Sequence, residues 1–308
     1  MTPPHRPNAF LTGVAKAGTT SLARYLAQHP DVFLPPIKEP NYYLFSRAEP
    51  VLVGPGAPEV VDHLLHRSSV SDADRMDQLY EPGASHPVRL DGSVRYLYHP
   101  VALDAIREEC PDARHIVVLR DPVERIRSHW RMNRQYQLEP LGLRDAVAAE
   151  DERVAAGWGW DWHYRRVSTY APQLGRLIEG FGRSHVLVLL YGDLVRDVHG
   201  TVRSCFEFLG VDPTVTVDAS ERGMVPAEHR SPLLDRLLSR PSPVRRGIFA
   251  LPEPVRYPVL SRIRRLNSRP AAPIDPSETV GLGERFAEDQ ERVADLLGLE
   301  VDELRARL

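Results

Sequence analysis

The sequence predicts an α/β fold in which helices flank a central, mainly parallel sheet. Short apolar runs alternate with stretches of helical character along the 308 residues, a pattern typical of strand–helix–strand units. The run 115–119 is rich in β-branched residues, with aliphatic side chains from Ile116 to Leu119, as expected of a parallel strand buried on each side. A glycine-containing turn separates the first apolar run from the first helical stretch. These features favour one domain over residues 1–308.

The local patterns predict five strands and several helices. The predicted strands are 9–14, 32–34, 88–91, 115–119 and 186–190. Helices are predicted over 20–28, 59–66, 164–179 and 284–297, and a further helix begins at Asp121-Pro122. Aspartate at the cap and proline in the first turn are typical of a helix start.

Two segments interrupt this alternation. Residues 46–86 are rich in proline, glycine, serine and histidine, which predicts an excursion from the sheet. Residues 236–269 hold nine arginines and a single acid, Glu253. This basic segment is either a solvated surface broken by prolines or a flap over an anionic ligand or membrane surface.

Composition excludes several classes of protein. The net charge of −3 provides no overall field that would attract nucleic acid. The two cysteines, Cys110 and Cys205, lack the spacing of a metal site or a disulfide scaffold. The sequence contains neither a secretory leader pattern nor an apolar stretch of about 20 residues, so we expect no transmembrane segment and a cytoplasmic location.

Residues 13–21 form a glycine-containing loop between the first strand and its helix, where backbone N–H groups and the helix dipole favour an anion. The spacing of Gly13 and Gly18 fits the nucleotide-binding pattern GxxxxGK[ST], but Thr19 stands where the lysine belongs. A lysine occupies the middle of the loop instead, at Lys16. Lys16 and Lys38 are the only lysines among 39 basic residues.

Three motifs in order resemble sulfotransferases that use 3′-phosphoadenosine 5′-phosphosulfate (PAPS). They are Lys16-Ala17-Gly18-Thr19-Thr20-Ser21-Leu22 with the later Lys38-Glu39-Pro40-Asn41, then Asp91-Gly92-Ser93-Val94-Arg95-Tyr96, and then Leu119-Arg120-Asp121-Pro122 through Ser128-His129. The resemblance, which includes the glycan-modifying and bacterial small-molecule branches, implies a P-loop-like three-layer fold. It also implies PAPS as donor, adenosine 3′,5′-bisphosphate (PAP) as product, and no metal.

The resemblance also implies the residues that hold the donor. They are Lys16, Ala17, Gly18, Thr19, Thr20, Ser21, Arg120 and Ser128, with Arg222 and Gly223 from a late segment. Arg120 leaves a buried strand, and Ser128 follows about two helical turns later. A planar guanidinium and a hydroxyl suit the 3′-phosphate. For Arg120 the alternative is a salt bridge to a neighbouring acid.

Lys16 is a candidate for catalysis by analogy with phosphoryl transfer, and the resemblance implies a carboxylate or histidine base. The compact ammonium of Lys16 can follow the leaving bridge oxygen. Glu39 matches the base of the glycan-modifying branch, and His99 is the reserve candidate. The alternative for Glu39 is a pair with Lys38 or a helix cap. We expect Lys38 to lie at the mouth of the same site and to contact either the sulfate or an acidic acceptor.

Ser93 and Tyr96 are predicted to bind the acceptor because they match the family's Ser-Pro-x-Tyr segment, although valine replaces the proline. Trp160 stands at the centre of three tryptophans at alternate positions. An extended segment would place them on one face as a stacking platform; packing against the sheet is the alternative.

The leading hypothesis is therefore a PAPS-dependent sulfotransferase acting on a hydroxyl, or less readily an amine, of a small-molecule, glycoside or lipid-linked acceptor. A P-loop kinase or ATPase, and a catalytically silent nucleotide-binding scaffold, remain alternatives. The sequence leaves the oligomeric state open.

Overall fold

A five-stranded parallel sheet forms the centre of the fold. The computed structural model of the chain describes residues 6–56, 58–66, 68–220, 227–229, 231, 267–270 and 274–308. In chain order the strands of the sheet are β1 (Ala9–Gly13), β2 (Val32–Phe33), β3 (Val88–Asp91), β4 (Arg114–Leu119) and β5 (Val186–Leu190). Their spatial order is β2-β3-β1-β4-β5, and every neighbouring pair is parallel. The predicted strands and their parallel arrangement are confirmed.

The described helices flank this sheet. The α-helices are α1 (Thr19–Leu26), α2 (Tyr42–Phe45), α3 (Pro58–Val61), α4 (Ala73–Tyr80), α5 (Pro100–Glu109), α6 (Pro122–Gln135), α7 (Leu143–Ala148), α8 (Glu150–Ala155), α9 (Tyr164–Val167), α10 (Ala171–Phe181), α11 (Tyr191–Arg196), α12 (Val198–Leu209), α13 (Ala287–Leu297) and α14 (Val301–Arg307). A π-helical turn (Asp62–His66) follows α3, and 3₁₀ turns cover Glu81–Gly83, Trp160–Trp162, Arg183–His185, Pro276–Thr279 and Gly283–Phe286. Within these ranges no helix is both long and apolar enough to cross a membrane.

Most predicted helices are present, with one clear difference. The helix predicted from Asp121-Pro122 begins there, because the Asp121 carboxylate accepts a hydrogen bond from the Glu124 N–H at 2.8 Å. The helix predicted over 164–179 is instead divided into α9 and α10. Pro172 lies in the first turn of α10. Proline has no N–H to donate and clashes with the preceding turn, so a helix cannot continue through it without disruption.

A second, two-stranded sheet was not predicted. Its strands β6 (Ala227–His229) and β7 (Ser268–Pro270) pair antiparallel. Most of the basic segment 236–269, and both Arg222 and Gly223, lie outside the described residues. The division of the chain into one domain stays a prediction.

The parallel sheet brings several loops to one edge. Because parallel strands all end on the same side, the segments after β1, β3, β4 and β5 lie next to one another, where α/β folds bind their ligands. The registry of β1 against β4 shifts between Leu11 and Gly13, just before β1 ends. Beyond this shift the Val14 N–H donates to the Val118 carbonyl at 3.0 Å. The loop after β1 therefore begins from a fixed position against β4.

Candidate active site

The loop between β1 and α1 has the geometry of an anion site. Lys16 and Gly18 both adopt left-handed backbone conformations, with φ of 75° and 81°. Gly18 caps α1 without any side-chain hydrogen bond, and the first turn of the helix contains no acid. The first amides of a helix have no intrahelical acceptor. The positive end of α1 is thus left without a compensating carboxylate from its own first turn, which suits a bound anion.

Arg120 joins this loop from the end of β4. Its Nη1 donates to the Lys16 carbonyl oxygen at 2.9 Å, and its Cζ lies 4.6 Å from the ring centroid of Tyr191, which follows β5. Its other contact, Nη2 to Glu124 Oε2, is long at 3.8 Å, and the Glu124 side chain is 45% exposed. The salt bridge considered as an alternative for Arg120 is therefore present, but it is longer and more exposed than the hydrogen bond to Lys16.

The Lys16 side chain reaches across to α6. Its Nζ lies 3.6 Å from Met132 Sδ. Burial lowers the pKa of the Lys16 ammonium, and the positive charges of Arg120 and Arg125 lower it further. The Glu39 carboxylate acts in the opposite direction, so the two predicted catalytic residues lie within electrostatic range of one another.

Ser128 lies on the same helical face as Met132. Residues four apart in a helix are neighbours on its surface, and Met132 contacts the Lys16 ammonium. Ser128 is half-buried, and its hydroxyl makes no hydrogen bond to a described residue. The structure thus brings Lys16 and Arg120 together at the loop after β1, and Ser128 lies one helical turn from Met132, which Lys16 contacts.

Glu39 lines a cavity of about 370 Å³ beside this loop. The cavity is lined by Pro36, Ile37, Lys38, Glu39, Asn41, Leu65, Ser68 and Arg95. Lys38 Nζ is 2.7 Å from Glu39 Oε1. The Lys38–Glu39 ion pair considered as an alternative is therefore formed, and both of its residues line the cavity.

Ser93 and Tyr96 are fully buried and do not line this cavity. The Ser93 N–H donates to Asp91 Oδ1 at 2.8 Å, and the Tyr96 hydroxyl donates to Asp91 Oδ2 at 3.1 Å. Ser93 Oγ accepts the Asn41 N–H at 3.0 Å. Burial raises the pKa of the Asp91 carboxyl to about 7. Ser93 thus anchors the segment that contains Glu39 through its bond to Asn41, and Asp91 holds Ser93 and Tyr96 in place.

Trp160 is 8% exposed and packs against the loop residue Ala15. The three tryptophans do not share one face, because a 3₁₀ turn covers Trp160–Trp162 where an extended segment was expected. Trp162 is buried against Trp158 with a ring-centroid distance of 5.4 Å. Trp160 and Trp162 are packed in the interior, but against loops and short helices rather than against the sheet that the alternative named.

His99, the reserve base, packs near Trp160 with a ring-centroid distance of 6.3 Å. Burial, together with the charge of Arg95, lowers the pKa of its imidazole to about 3. His99 does not line the cavity that holds Glu39.

The sequence reasoning did not single out Arg95. Both of its terminal nitrogens bind the Asp161 carboxylate at 3.1 Å, and its Cζ lies 4.5 Å from the Trp160 ring centroid. An arginine in a protein with so many arginines gives no signal by identity. The position of Arg95 is informative, because it precedes Tyr96 in the segment where this sequence departs from the family's Ser-Pro-x-Tyr pattern.

A family model described as "Sulfotransferase family" matches residues 7–214 of this chain. Carbohydrate sulfotransferase 15 from Homo sapiens is 25% identical over 248 residues, which cover 67% of this chain and 44% of that protein. Heparan sulfate glucosamine 3-O-sulfotransferase 6 from Homo sapiens is 27% identical over 221 residues, covering 68% of this chain and 54% of that protein. The chain thus spans about half the length of these curated relatives.

Similarity to a solved structure extends over nearly the whole chain. The crystal structure of a sulfotransferase from Alicyclobacillus acidocaldarius matches with a TM-score of 0.74 and 28% sequence identity, covering 97% of this chain and 99% of that one. The predicted P-loop-like α/β fold is confirmed.

Proposed function

The chain belongs to the sulfotransferase family, and from that premise we propose that it transfers a sulfuryl group from PAPS to an acceptor hydroxyl. The observation that carries this proposal is the contact between Arg120 and the Lys16 carbonyl, with the Glu39 cavity beside it. Thr19 at the position of the nucleotide-triphosphatase lysine supports PAPS over ATP. The relatives named above support a sugar hydroxyl as one class of acceptor.

The donor fits the residues around the β1 loop. The uncapped start of α1 and the amides of residues 16–21 would hold the 5′-phosphosulfate. Arg120 and Ser128 would hold the 3′-phosphate, through a charged fork and a hydroxyl that has no described partner. When bound, the donor supplies an activated sulfuryl group with PAP as the leaving group.

Lys16 would stabilise the charge that develops on the leaving oxygen. Its ammonium is buried and lies among cations rather than in an ion pair with a single acid. An ammonium placed in a site that excludes water stabilises developing negative charge more strongly than it would in water. Because burial and neighbouring cations disfavour the charged form of Lys16, an anionic ligand would relieve that cost on binding.

Glu39 would accept the proton of the acceptor hydroxyl. It lies on the cavity wall within electrostatic range of Lys16, so an acceptor in this cavity would meet the base and the sulfuryl group together. A volume of about 370 Å³ suits a small molecule or part of a glycoside. His99 is the weaker candidate for the base, because a pKa of about 3 leaves its imidazole a poor proton acceptor near neutral pH.

Thermal unfolding with nucleotides tests the donor. A ligand at 100 times its dissociation constant stabilises a folded protein by about 2.7 kcal/mol, so PAP should raise the unfolding temperature and ATP should not. Preference for ATP would instead favour the kinase or ATPase alternative. A response to neither nucleotide would overturn the proposal, whereas stabilisation without any sulfuryl transfer would favour the silent scaffold.

Transfer from a labelled donor to panels of phenols, glycosides, lipid-linked intermediates and amines tests the reaction and the acceptor. In that assay Glu39→Gln should lower kcat roughly 10²- to 10⁴-fold, while His99→Gln should retain most activity. The reverse order of losses would move the role of base to His99. Cytoplasmic location and oligomeric state stay outside this proposal.

A further inference from the structure

Gly92, directly after β3, leaves the space that the Lys38 side chain occupies. A Cβ atom at position 92 would lie 2.9 Å from Lys38 Cγ, 3.0 Å from Lys38 Cε and 3.1 Å from the Lys38 carbonyl oxygen. Carbon atoms in contact are normally about 3.5–4.0 Å apart. Any side chain at position 92 would therefore displace Lys38 from its present path.

That path brings the Lys38 ammonium back to the next residue in the chain. Lys38 Nζ is 2.7 Å from Glu39 Oε1, whereas Glu39 Oε2 makes no hydrogen bond to a described residue. Residues 36–38 form a bend, and the Lys38 side chain packs over Gly92 before its ammonium reaches Glu39. The pair engages the two carboxylate oxygens unequally.

The backbone on both sides of Glu39 is held by the same segment. The Gly92 N–H donates to the Lys38 carbonyl at 3.0 Å, and the Asn41 N–H donates to Ser93 Oγ at 3.0 Å. The main chain of Glu39 is thus fixed at each end. These backbone contacts leave the side-chain torsions of Glu39 free, and the contact with Lys38 restricts them.

We propose that Gly92 and Lys38 are positioning residues for the base: Gly92 admits Lys38, and Lys38 holds Oε1 so that Oε2 faces the acceptor hydroxyl. This inference rests on the proposed role of Glu39. In the transfer, Oε2 takes the hydroxyl proton as the acceptor oxygen bonds to sulfur. The electron pair of the broken sulfur–oxygen bond leaves on the nucleotide phosphate.

The value of the pair lies in orientation rather than in stability. The Lys38 side chain is 19% exposed and that of Glu39 is 34% exposed, and partly exposed ion pairs contribute little to folding. A reacting group misplaced by about 1 Å can cost roughly a hundredfold in rate. The proposal thus predicts an effect on kcat without a matching loss of fold stability.

A double-mutant cycle in the full chain tests this inference. Gly92→Ala should lower kcat roughly ten- to a hundredfold with little change in the acceptor KM. Lys38→Ala should lower kcat similarly, because it removes both the stem and the ammonium. Adding Gly92→Ala to Lys38→Ala should then cost clearly less than Gly92→Ala alone, because the side-chain atoms are gone and only the 3.1 Å contact with the Lys38 carbonyl oxygen remains. Lys38→Arg, which retains the charge, should restore part of the rate.

Three results would overturn the inference. Equal losses from Gly92→Ala with and without Lys38 would indicate a backbone effect alone. A raised acceptor KM at unchanged kcat would assign Lys38 to binding an acidic acceptor. If Gly92→Ala does not fold, Lys38→Met must still lower kcat at constant KM, and normal turnover in that variant would refute the role.

The failure of the proposed function has a different signature. A wild-type chain that PAP does not stabilise and that transfers no sulfuryl group would refute the function, and the positioning role with it. The positioning role alone would be refuted if PAP stabilises every variant, the wild type is active, and Gly92→Ala retains the kcat of the wild type. Gly175→Ala is the matched control, since a Cβ there has nothing within 4 Å.

Discussion

Arg120 Nη1 donates a hydrogen bond to the carbonyl oxygen of Lys16 across 2.9 Å. The contact joins the carboxyl end of β4 to the middle of the loop that follows β1. A guanidinium carries five N–H donors in a fixed plane, so a bond to the loop leaves others for a phosphate. One residue can therefore shape the loop and bind an anion.

Arg120→Met should weaken PAP binding roughly ten- to a hundredfold, because a hydrogen bond to a charged group contributes about 1.5–3 kcal/mol. If Arg120 holds the 3′-phosphate, the preference for PAP over adenosine 5′-monophosphate should fall by a similar factor. Isothermal titration calorimetry with both nucleotides measures this ratio. Arg107→Met, at an exposed pair with Asp104, is the control. Equal loss for both nucleotides would indicate that Arg120 only shapes the loop.

Lys16→Arg tests whether shape or charge matters at the leaving oxygen. An ammonium is a compact point charge and a guanidinium a planar fork, so we expect kcat to fall by roughly 10² or more while PAP still binds. Lys16→Ala should reduce kcat at least as far. Stopped-flow or steady-state transfer measures the rates, and thermal shifts with PAP monitor binding. Undiminished turnover in Lys16→Arg would exclude a specific role for the ammonium.

The pH dependence of the same reaction provides a second readout of Lys16. Burial lowers the pKa of its ammonium below 10.5, and the charged form is the active one. Donor kcat/KM, which reports the free enzyme, should therefore fall as pH rises through that lowered pKa. In Lys16→Arg this alkaline decline should disappear, since arginine stays charged. Retention of the decline would assign it to another group.

The strands could be predicted from the sequence because the local composition of each one indicates its burial. β4 is aliphatic from Ile116 to Leu119, and its residues from His115 onward are fully buried. The division of 164–179 into two helices could also have been read from Pro172, which favours a first turn over a helix interior. The antiparallel β6–β7 pair joins segments about 40 residues apart, and no local pattern indicates such a pairing.

The site was predictable only where a residue follows a strand. Lys16 and Arg120 each come soon after a buried strand, and parallel strands end together. The roles of Gly92 and Asp91 depend on which distant side chains fill the surrounding space. Gly92 is defined by the path of Lys38, and Asp91 by the hydroxyl of Tyr96. Residue identity alone does not reveal such relationships.

Asp91 should make stability depend on pH. Burial raises the pKa of its carboxyl in the folded state to about 7, against 3.8 for an ordinary aspartate. Between these values the unfolded chain binds fewer protons, so folding stability falls as pH rises through this window and then levels off. The free energy of unfolding of wild type relative to Asp91→Asn should thus decline from pH 4 to pH 7, by at most about 4 kcal/mol.

Urea unfolding at several pH values measures this difference. Any constant offset from the changed hydrogen bonds to Ser93 and Tyr96 does not affect the slope. Asp112→Asn, at an exposed position, should not reproduce that slope. A difference between wild type and Asp91→Asn that stays flat over this range would show that Asp91 does not titrate there.

Gly18→Ala should destabilise both the fold and the donor site. The backbone of Gly18 is left-handed, which costs other residues roughly 1–2 kcal/mol, and a Cβ there would lie 3.2 Å from the Tyr191 ring and 3.3 Å from Leu194. We expect a melting temperature a few degrees lower and weaker PAP binding, measured by calorimetry. Gly18→Asn, which tolerates the left-handed backbone better, should recover part of the stability but not the affinity. Gly175→Ala, within α10 and with open space around it, should instead stabilise by up to about 1 kcal/mol. Wild-type PAP affinity in Gly18→Ala would mean that the donor does not need this loop conformation.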